Sequence, residues 1–329
     1  MLTQIELLKK YALRIRGHLG QHLLMDPNTI RKIVDALDLQ PGDRVFEIGP
    51  GLGAVTREVL GRGFPLLAVE TDKKFVEILN EELLPEYPGH FKLIQGDILK
   101  SDPTQLIRAW AGPGTEVKVI GNLPYYISTP ILFHLIEHAK VFSSAVMMLQ
   151  KEVAARLTAQ AGDEDYGRLS VTSRLYGETE FLFDVSPKCF LPPPEVTSRV
   201  VRYVFRPNFS FLFHQGSLGG PNSRCAVIDQ YRDRDNLKLG HEKFLLEIVR
   251  VAFSQRRKTL LSLLAHQLKP RSGREDLERI FSGIGFSSKV RGETLSLEQF
   301  ILLAGALNEK NGTRDLFLGT RKKETQASP

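Results

Sequence analysis

Cysteine is scarce in this chain: among 329 residues only Cys189 and Cys225 carry thiols. Two thiols cannot build a disulfide framework, and these two lack the paired spacing of a zinc site. A small secreted scaffold is therefore excluded, and a reducing compartment, the cytoplasm, is expected. Long apolar runs are missing as well. No stretch is long enough to span a bilayer, and the N-terminus has no apolar signal-peptide core, so no membrane partner is expected. Lys9, Lys10, Arg14 and Arg16 could lie on an N-terminal helix like that of an organellar transit peptide. Glu6 speaks mildly against that, and a solvated helix is the plainer reading. There is no internal repeat. No set of ligands has metal-site geometry: His134 and His138 stand one helical turn apart but lack a third partner.

What is present is an ordinary globular balance, 42% hydrophobic and 25% charged, with a formal net charge of +6. The length suits one large and one small domain. The charge is unevenly placed. Residues 199–270 hold 13 Lys/Arg against 5 Asp/Glu, a net +8, which leaves the rest of the chain at −2. That asymmetry puts the footprint for an anionic partner towards the C-terminus.

Along the chain, short apolar runs alternate with helical patterns. Asp26-Pro27 opens a helix with Ile30, Ile33, Val34 and Leu37 on one face. Strands are expected at Arg44–Ile48, Leu66–Val69, Phe91–Ile94, Val117–Ile120 and Ala145–Leu149, with helices over Asp72–Leu84 and Ile131–Ile136. Phe181–Phe205 has β character. This alternation predicts βαβ units and an α/β, Rossmann-like parallel sheet. The expected organisation is a Rossmann-like domain over 1–206, an extended linker or insertion over 207–241, a helical RNA-binding domain over 242–308 and a disordered tail over 309–329.

A Gly-rich run, Glu47-Ile48-Gly49-Pro50-Gly51-Leu52-Gly53, sits between a strand and a helix. Glycines there allow a tight turn and close approach of backbone to ligand. Alone the run is a weak signal, since a nicotinamide enzyme or a plain tight turn would look similar. Glu47 separates the options. A carboxylate before the glycines suits a cationic ligand such as S-adenosylmethionine, with its ammonium and sulfonium, and would repel a pyrophosphate. Glu70 and Asp97 close the next two strands, the first placed to hold ribose hydroxyls and the second an adenine amino group. One strand-end acid could be a solvated loop carboxylate; three in register argue for a site.

Asn122-Leu123-Pro124-Tyr125 follows the next strand. An exocyclic amine is a poor nucleophile because its lone pair is delocalised into the ring. The Asn122 side-chain oxygen and the Leu123 carbonyl can accept its two N–H bonds and free that lone pair. Pro124 stiffens the turn, and Tyr125 offers a face for the base. A sulfonium carries its own leaving group, so neither a metal nor a covalent nucleophile is required.

In these motifs the chain resembles the ribosomal RNA adenine N6,N6-dimethyltransferases. The likeness runs from about residue 17 to 305, through Gly20–Leu24, Glu47–Gly53, Gly121–Pro130, Leu149–Val153, Tyr166–Ser170, Phe190–Pro194 and Phe253–Leu260. It implies a Rossmann-like methyltransferase domain with a small α-helical C-terminal domain, and S-adenosylmethionine as methyl donor. It implies Gln21, His22 and Leu23 over the cofactor, with Glu47, Gly49, Gly51, Glu70, Asp97, Ile98 and Asn122 around it. Asn122, Leu123, Pro124 and Tyr125 take the target amine, and Phe190 flanks the base. Arg256, Arg257 and Lys258 are expected on a helix facing RNA phosphates, although a charge run is often only a solvated face. The implied reaction is transfer of methyl groups to the N6 of two adjacent adenines near the 3′ end of small-subunit (16S-type) rRNA. The expected partner is that rRNA in a pre-ribosomal particle, and a monomer is expected. Two departures stand out: Leu23 replaces an aromatic residue, and 207–240 is longer than the usual inter-domain connection. The alternatives are a large-subunit rRNA adenine methyltransferase of the resistance type and a non-catalytic assembly or transcription factor on the same fold.

Overall fold

The computed structural model describes residues 2–15, 17, 21–206, 239–255, 257–267 and 273–311. Arg256, residues 207–238 of the expected linker and residues 312–329 of the expected tail lie outside the described residues, as do His18, Gly20 and Cys225.

The chain runs α1 (Gln4–Lys10), β1 (Leu23–Leu24), α2 (Pro27–Asp35), β2 (Val45–Ile48), α3 (Ala54–Gly61), β3 (Leu66–Glu70), α4 (Lys73–Glu82), β4 (Phe91–Gln95), α5 (Pro103–Ala111) and β5 (Val117–Asn122). Next come α6 (Ser128–Glu137), β6 (Phe142–Gln150), α7 (Lys151–Thr158), α8 (Arg168–Tyr176), β7 (Gly177–Val185), β8 (Phe190–Leu191) and β9 (Ser198–Phe205). The C-terminal helices are α9 (Leu239–Ala252), α10 (Leu260–Gln267), α11 (Arg274–Gly283) and α12 (Leu297–Asn311).

Seven strands form one sheet in the order β4-β3-β2-β5-β6-β9-β7. The first five are parallel, and β9 runs antiparallel to both β6 and β7. From β2 the chain builds outward through β3 and β4, then returns to the other side of β2 with β5. The strand order therefore reverses between β2 and β5, where Ile48 lies opposite Gly121. In open α/β sheets the crevice beyond such a reversal is where ligands bind.

The strands form because their residues are apolar and β-branched and are covered on both faces. Every residue of β2 and β3 is buried, with Val45, Phe46, Leu66 and Leu67 fully so. Truncating Phe46 to alanine would cost about 3–5 kcal/mol by opening a cavity beside Phe142. The helices start where their caps do. The Asp26 side chain accepts the Thr29 N–H at 2.8 Å and starts α2. Asp72 accepts the Lys74 N–H at 2.9 Å and starts α4.

The chain divides into two compact units, one of residues 1–158 and 176–207, the other of 159–175 and 208–329. The sequence assigns residues 159–175 to the first domain; they pack instead with the C-terminal helices. The cause is Tyr166. Its ring is fully buried, its hydroxyl donates to the Leu295 carbonyl at 2.7 Å, and it meets Phe253 edge-on at 5.9 Å. The Gly162 N–H adds a bond to the Glu293 carbonyl at 2.9 Å. No described helix is long and apolar enough to cross a membrane.

Candidate active site

The Gly-rich loop leaves β2 at the reversal point. The Gly49 N–H donates to the Val69 carbonyl at 3.0 Å, which ties the loop's first residue to β3. Gly51 has φ +59°, and a Cβ there would meet Leu23 at 3.3 Å. Gly53 has φ +79°, and its Cβ would lie 2.9 Å from Leu79 of α4. Both need the left-handed conformation, and Gly53 also needs the space, so glycine is dictated sterically.

Beneath this loop lie two buried carboxylates. Glu70 is 6% exposed, and its two oxygens accept the Gly51 N–H at 3.0 Å and the Asp72 N–H at 2.8 Å. It stitches the loop to the start of α4, and lone pairs remain on both oxygens for ligand hydroxyls. Glu47 is 3% exposed, and one oxygen accepts the Thr56 hydroxyl of α3 at 2.7 Å. Burial pushes Glu47 up to about 8, with repulsion from Glu70 adding to the rise, and burial likewise raises Glu70. Neither acid has a cationic partner among the described residues. Two uncompensated buried acids side by side suit a cation. A ligand with an ammonium and a sulfonium brings the opposite charge that offsets their burial, whereas a pyrophosphate would add like-charge repulsion. The residues present therefore fit S-adenosylmethionine.

Asp97 stands two residues beyond the end of β4. It caps the 3-10 turn Ile98–Lys100 through the Leu99 N–H at 3.0 Å, and Lys100 approaches its other oxygen at 3.5 Å. Ile98, the first residue of that turn, is buried.

The N-terminal segment folds back over this floor. Gln21 donates to the Asp72 carboxylate at 2.9 Å. Leu23 packs in a cluster with Leu7, Leu52, Phe75 and Ile78, so the position that departs from an aromatic keeps its apolar role. α1 holds that segment down. Leu7 is fully buried, Gln4 donates to the Leu24 carbonyl at 2.7 Å, and the Tyr11 hydroxyl donates to Glu82 at 2.5 Å. The sequence alone marked α1 only as a solvated helix. Its signal was the capping box of Thr3 and Glu6, which the structure contains.

On the other side of the crevice, β5 delivers Asn122. Its side-chain nitrogen donates to the His22 carbonyl at 3.0 Å. Because a carbonyl faces it there, the amide must present nitrogen at that end, and its oxygen is the atom left for a ligand. The Leu123 N–H donates to the Met148 carbonyl at 3.2 Å, and the Ile127 N–H closes the turn on the Pro124 carbonyl at 3.1 Å. Tyr125 is half-buried, its hydroxyl 2.6 Å from that of buried Ser198. The His22 ring stacks on Tyr125 with centroids 6.0 Å apart, and its Nδ1 lies 2.8 Å from the Pro192 carbonyl. His22, Thr56, Asp72 and Ser198 thus orient the groups singled out by motif. Of these four only His22 stood out in the sequence, and there as a cofactor contact.

Two expectations are corrected. Phe190 is 4% exposed and packs in the main core with Leu24, Val185 and Val200, so its ring does not present a face to a base. The cause is strand alternation: in β8, paired with β1, Phe190 points inward and Leu191 outward. Arg257 and Lys258 are exposed, but in the turn between α9 and α10 rather than on a helix. α9 stops at Ala252, against which Gly292 packs so closely that a Cβ would lie 2.8 Å away, and the Leu260 N–H is taken by the Val290 carbonyl at 2.8 Å.

Known proteins match this arrangement. The family model described as ribosomal RNA adenine dimethylase matches residues 12–210. A ribosomal RNA small subunit methyltransferase A from Bacillus cytotoxicus is 38% identical over 304 residues, 92% of this chain and 94% of the relative. The protein of that name from Bacillus cereus strain B4264 is 36% identical with the same coverage. Among solved structures, a dimethyladenosine transferase from Plasmodium falciparum has a TM-score of 0.66 at 24% identity, over 86% of this chain and 96% of that one. The 23S rRNA methyltransferase ErmE has a TM-score of 0.58 at 24% identity, over 87% and 99%. The two solved structures share the fold; the family model and the two Bacillus relatives carry the assignment. The chain belongs to the ribosomal RNA adenine dimethylase family.

Proposed function

We propose that this protein uses S-adenosylmethionine to methylate the N6 of two adjacent adenines near the 3′ end of small-subunit rRNA, giving N6,N6-dimethyladenosine. The observation that carries the reading is Asn122. Its nitrogen is engaged by the His22 carbonyl at 3.0 Å, which turns its oxygen to a ligand amine. The relatives named small subunit methyltransferase A, 36–38% identical over 92% of the chain, point to the same RNA.

When bound, S-adenosylmethionine supplies a methyl group whose sulfonium is a built-in leaving group. The chain's own residues do the rest by positioning. Asn122 and the Leu123 carbonyl accept the amine's N–H bonds, so the nitrogen pyramidalises and its lone pair leaves conjugation with the ring. That lone pair forms the new N–C bond, and the amine proton passes to solvent. One N–H then remains for Asn122 in the second round. Tyr125 holds the base through its ring, itself fixed by Ser198 and His22. Glu47 and Glu70 stay beneath the loop, where a low dielectric strengthens their pull on a cation.

Arg257 and Lys258, with Arg256, are assigned to RNA phosphates in a pre-ribosomal particle, with the enzyme acting as a monomer in the cytoplasm. Neutralising the three should lower the log–log salt slope of RNA binding by about 2–3 units, and an unchanged slope in a folded variant would remove them from the interface. The reading as a whole is tested by incubating unmodified small- and large-subunit RNA particles with labelled methyl donor and mapping the label by mass spectrometry. Dimethyladenosine in two adjacent positions of small-subunit rRNA is expected. Label confined to large-subunit rRNA, or none, would overturn it.

A further inference from the structure

The loop that carries Tyr125 carries a second tyrosine. Tyr126 is 71% exposed, whereas Tyr125 is half-buried against Ser198. The turn closed by Ile127 on Pro124 keeps the two residues adjacent, about 3.8 Å apart between Cα atoms, yet sends one side chain inward and the other to solvent. Among the described residues nothing holds Tyr126 by a hydrogen bond, ion pair or ring contact.

Other exposed apolar residues stand close in sequence to the groups that hold Tyr125. Among the described residues the large exposed hydrophobics are Ile5, Tyr126, Phe181, Leu191, Val196 and Val204. Three of these six lie close in sequence to Tyr125 or to residues around it. Tyr126 is its neighbour. Leu191, 39% exposed, precedes Pro192, whose carbonyl meets the His22 ring stacked on Tyr125. Val196, 42% exposed, stands two residues before Ser198. Tyr126 thus leaves an aromatic face in solvent next to the residue assigned to the target base.

We propose that Tyr126 is a stacking seat for the nucleotide next to the target adenine. The site would then grip two consecutive nucleotides of single-stranded RNA. This rests on the reading of the site as an RNA adenine methyltransferase. The occupant follows from continuity with the base site. A base drawn out to Tyr125 unstacks from its neighbour, and the neighbour's exposed face then needs a replacement partner. An aromatic ring one residue from Tyr125 supplies it without reading sequence, since every base has a π-face.

The test uses the full-length protein, unmodified small-subunit RNA particles, and the same RNA with an abasic nucleotide beside the target adenine. Tyr126→Ala should lower kcat/KM for RNA about ten-fold or more, through stacking lost from one base, with methyl-donor affinity unchanged. Tyr126→Phe should restore it. The abasic neighbour should impair the wild type by a similar factor and the alanine variant no further, because both changes remove the same contact. Wild-type-like turnover in Tyr126→Ala would overturn the proposal. So would a wild-type enzyme indifferent to the abasic neighbour, even if the alanine variant failed to fold. Failure of the underlying reading looks different: the wild type would then place no methyl on small-subunit adenines at all.

Discussion

On the cofactor side of the crevice the working groups are buried, with Glu47 and Glu70 at 3% and 6% exposure, and bonded to the loop, the helices and the turn around them. On the base side Asn122 and Tyr125 are half-buried, and each is held by contacts from distant parts of the chain. The first half is built largely within one continuous run from β2 to the start of α4. The second is assembled from four segments: His22 before β1, β5 with the loop after it, the Pro192 loop and β9. A half built locally for a small cofactor stands beside one assembled from distant segments for a large substrate, and damage to the two halves should separate kinetically.

The largest separation is expected at Asn122. Replacing it by alanine removes a preorganised acceptor aimed at the reacting nitrogen, and methyl transfer should fall by about 10²–10³-fold, as for other groups that act on developing charge. Donor affinity measured by calorimetry should stay within a factor of a few. A large loss of donor affinity with the transfer rate preserved would move Asn122 to the cofactor half. Next in size is Glu70→Ala. Hydrogen bonds to a charged group contribute about 1.5–3 kcal/mol, so donor affinity should drop by about 10–100-fold. Unchanged affinity would leave Glu70 with only its ties to Gly51 and Asp72.

How far each half was legible follows the same division. Glu47, Gly49, Gly51 and Glu70 stand within a strand–loop–helix–strand run, and the parallel register of β2, β3 and β5 was implied by the alternation of elements. Local patterning carried that half. The base side was legible only as a motif. That Asn122 is turned by a carbonyl 100 positions earlier, and Tyr125 by a hydroxyl 73 positions later, is a product of topology that spacing cannot disclose. Phe190 shows the limit from the other direction. A two-residue strand has no alternation to read, so its inward face appeared only with its partner β1. The same holds for Tyr166, whose acceptor at Leu295 lies in the helical unit.

A smaller effect is expected at Ser198. Alanine there leaves the Tyr125 hydroxyl without its partner, a cost of about 1 kcal/mol. The resulting freedom of the ring should lower kcat/KM about five-fold, with donor affinity intact. A loss of donor affinity in this variant would break the division between the halves.

The smallest effect sharpens the cofactor half through pH. Glu47 ordinarily titrates near 4.5 and is pushed up to about 8 by burial. In that interval the native free protein holds a proton that the unfolded chain has released, so stability declines as pH rises from about 4.5 to about 8. A cationic donor favours the carboxylate, and its binding near pH 7 should release up to about one proton. Calorimetry in buffers of different ionisation enthalpy reads that release, and Glu47→Gln should abolish it. Proton release unchanged in Glu47→Gln would assign the linkage to another group.

The most direct measurement is the single-turnover rate of methyl transfer to small-subunit RNA at saturating S-adenosylmethionine, compared between Glu70→Ala and Asn122→Ala. Saturation compensates for weak donor binding but not for a missing acceptor at the reacting nitrogen. The rate in Glu70→Ala should return to within about ten-fold of wild type, while Asn122→Ala stays down by about 10²-fold or more. Equal residual rates in the two variants would contradict a site built from one half that holds the donor and another that presents the base.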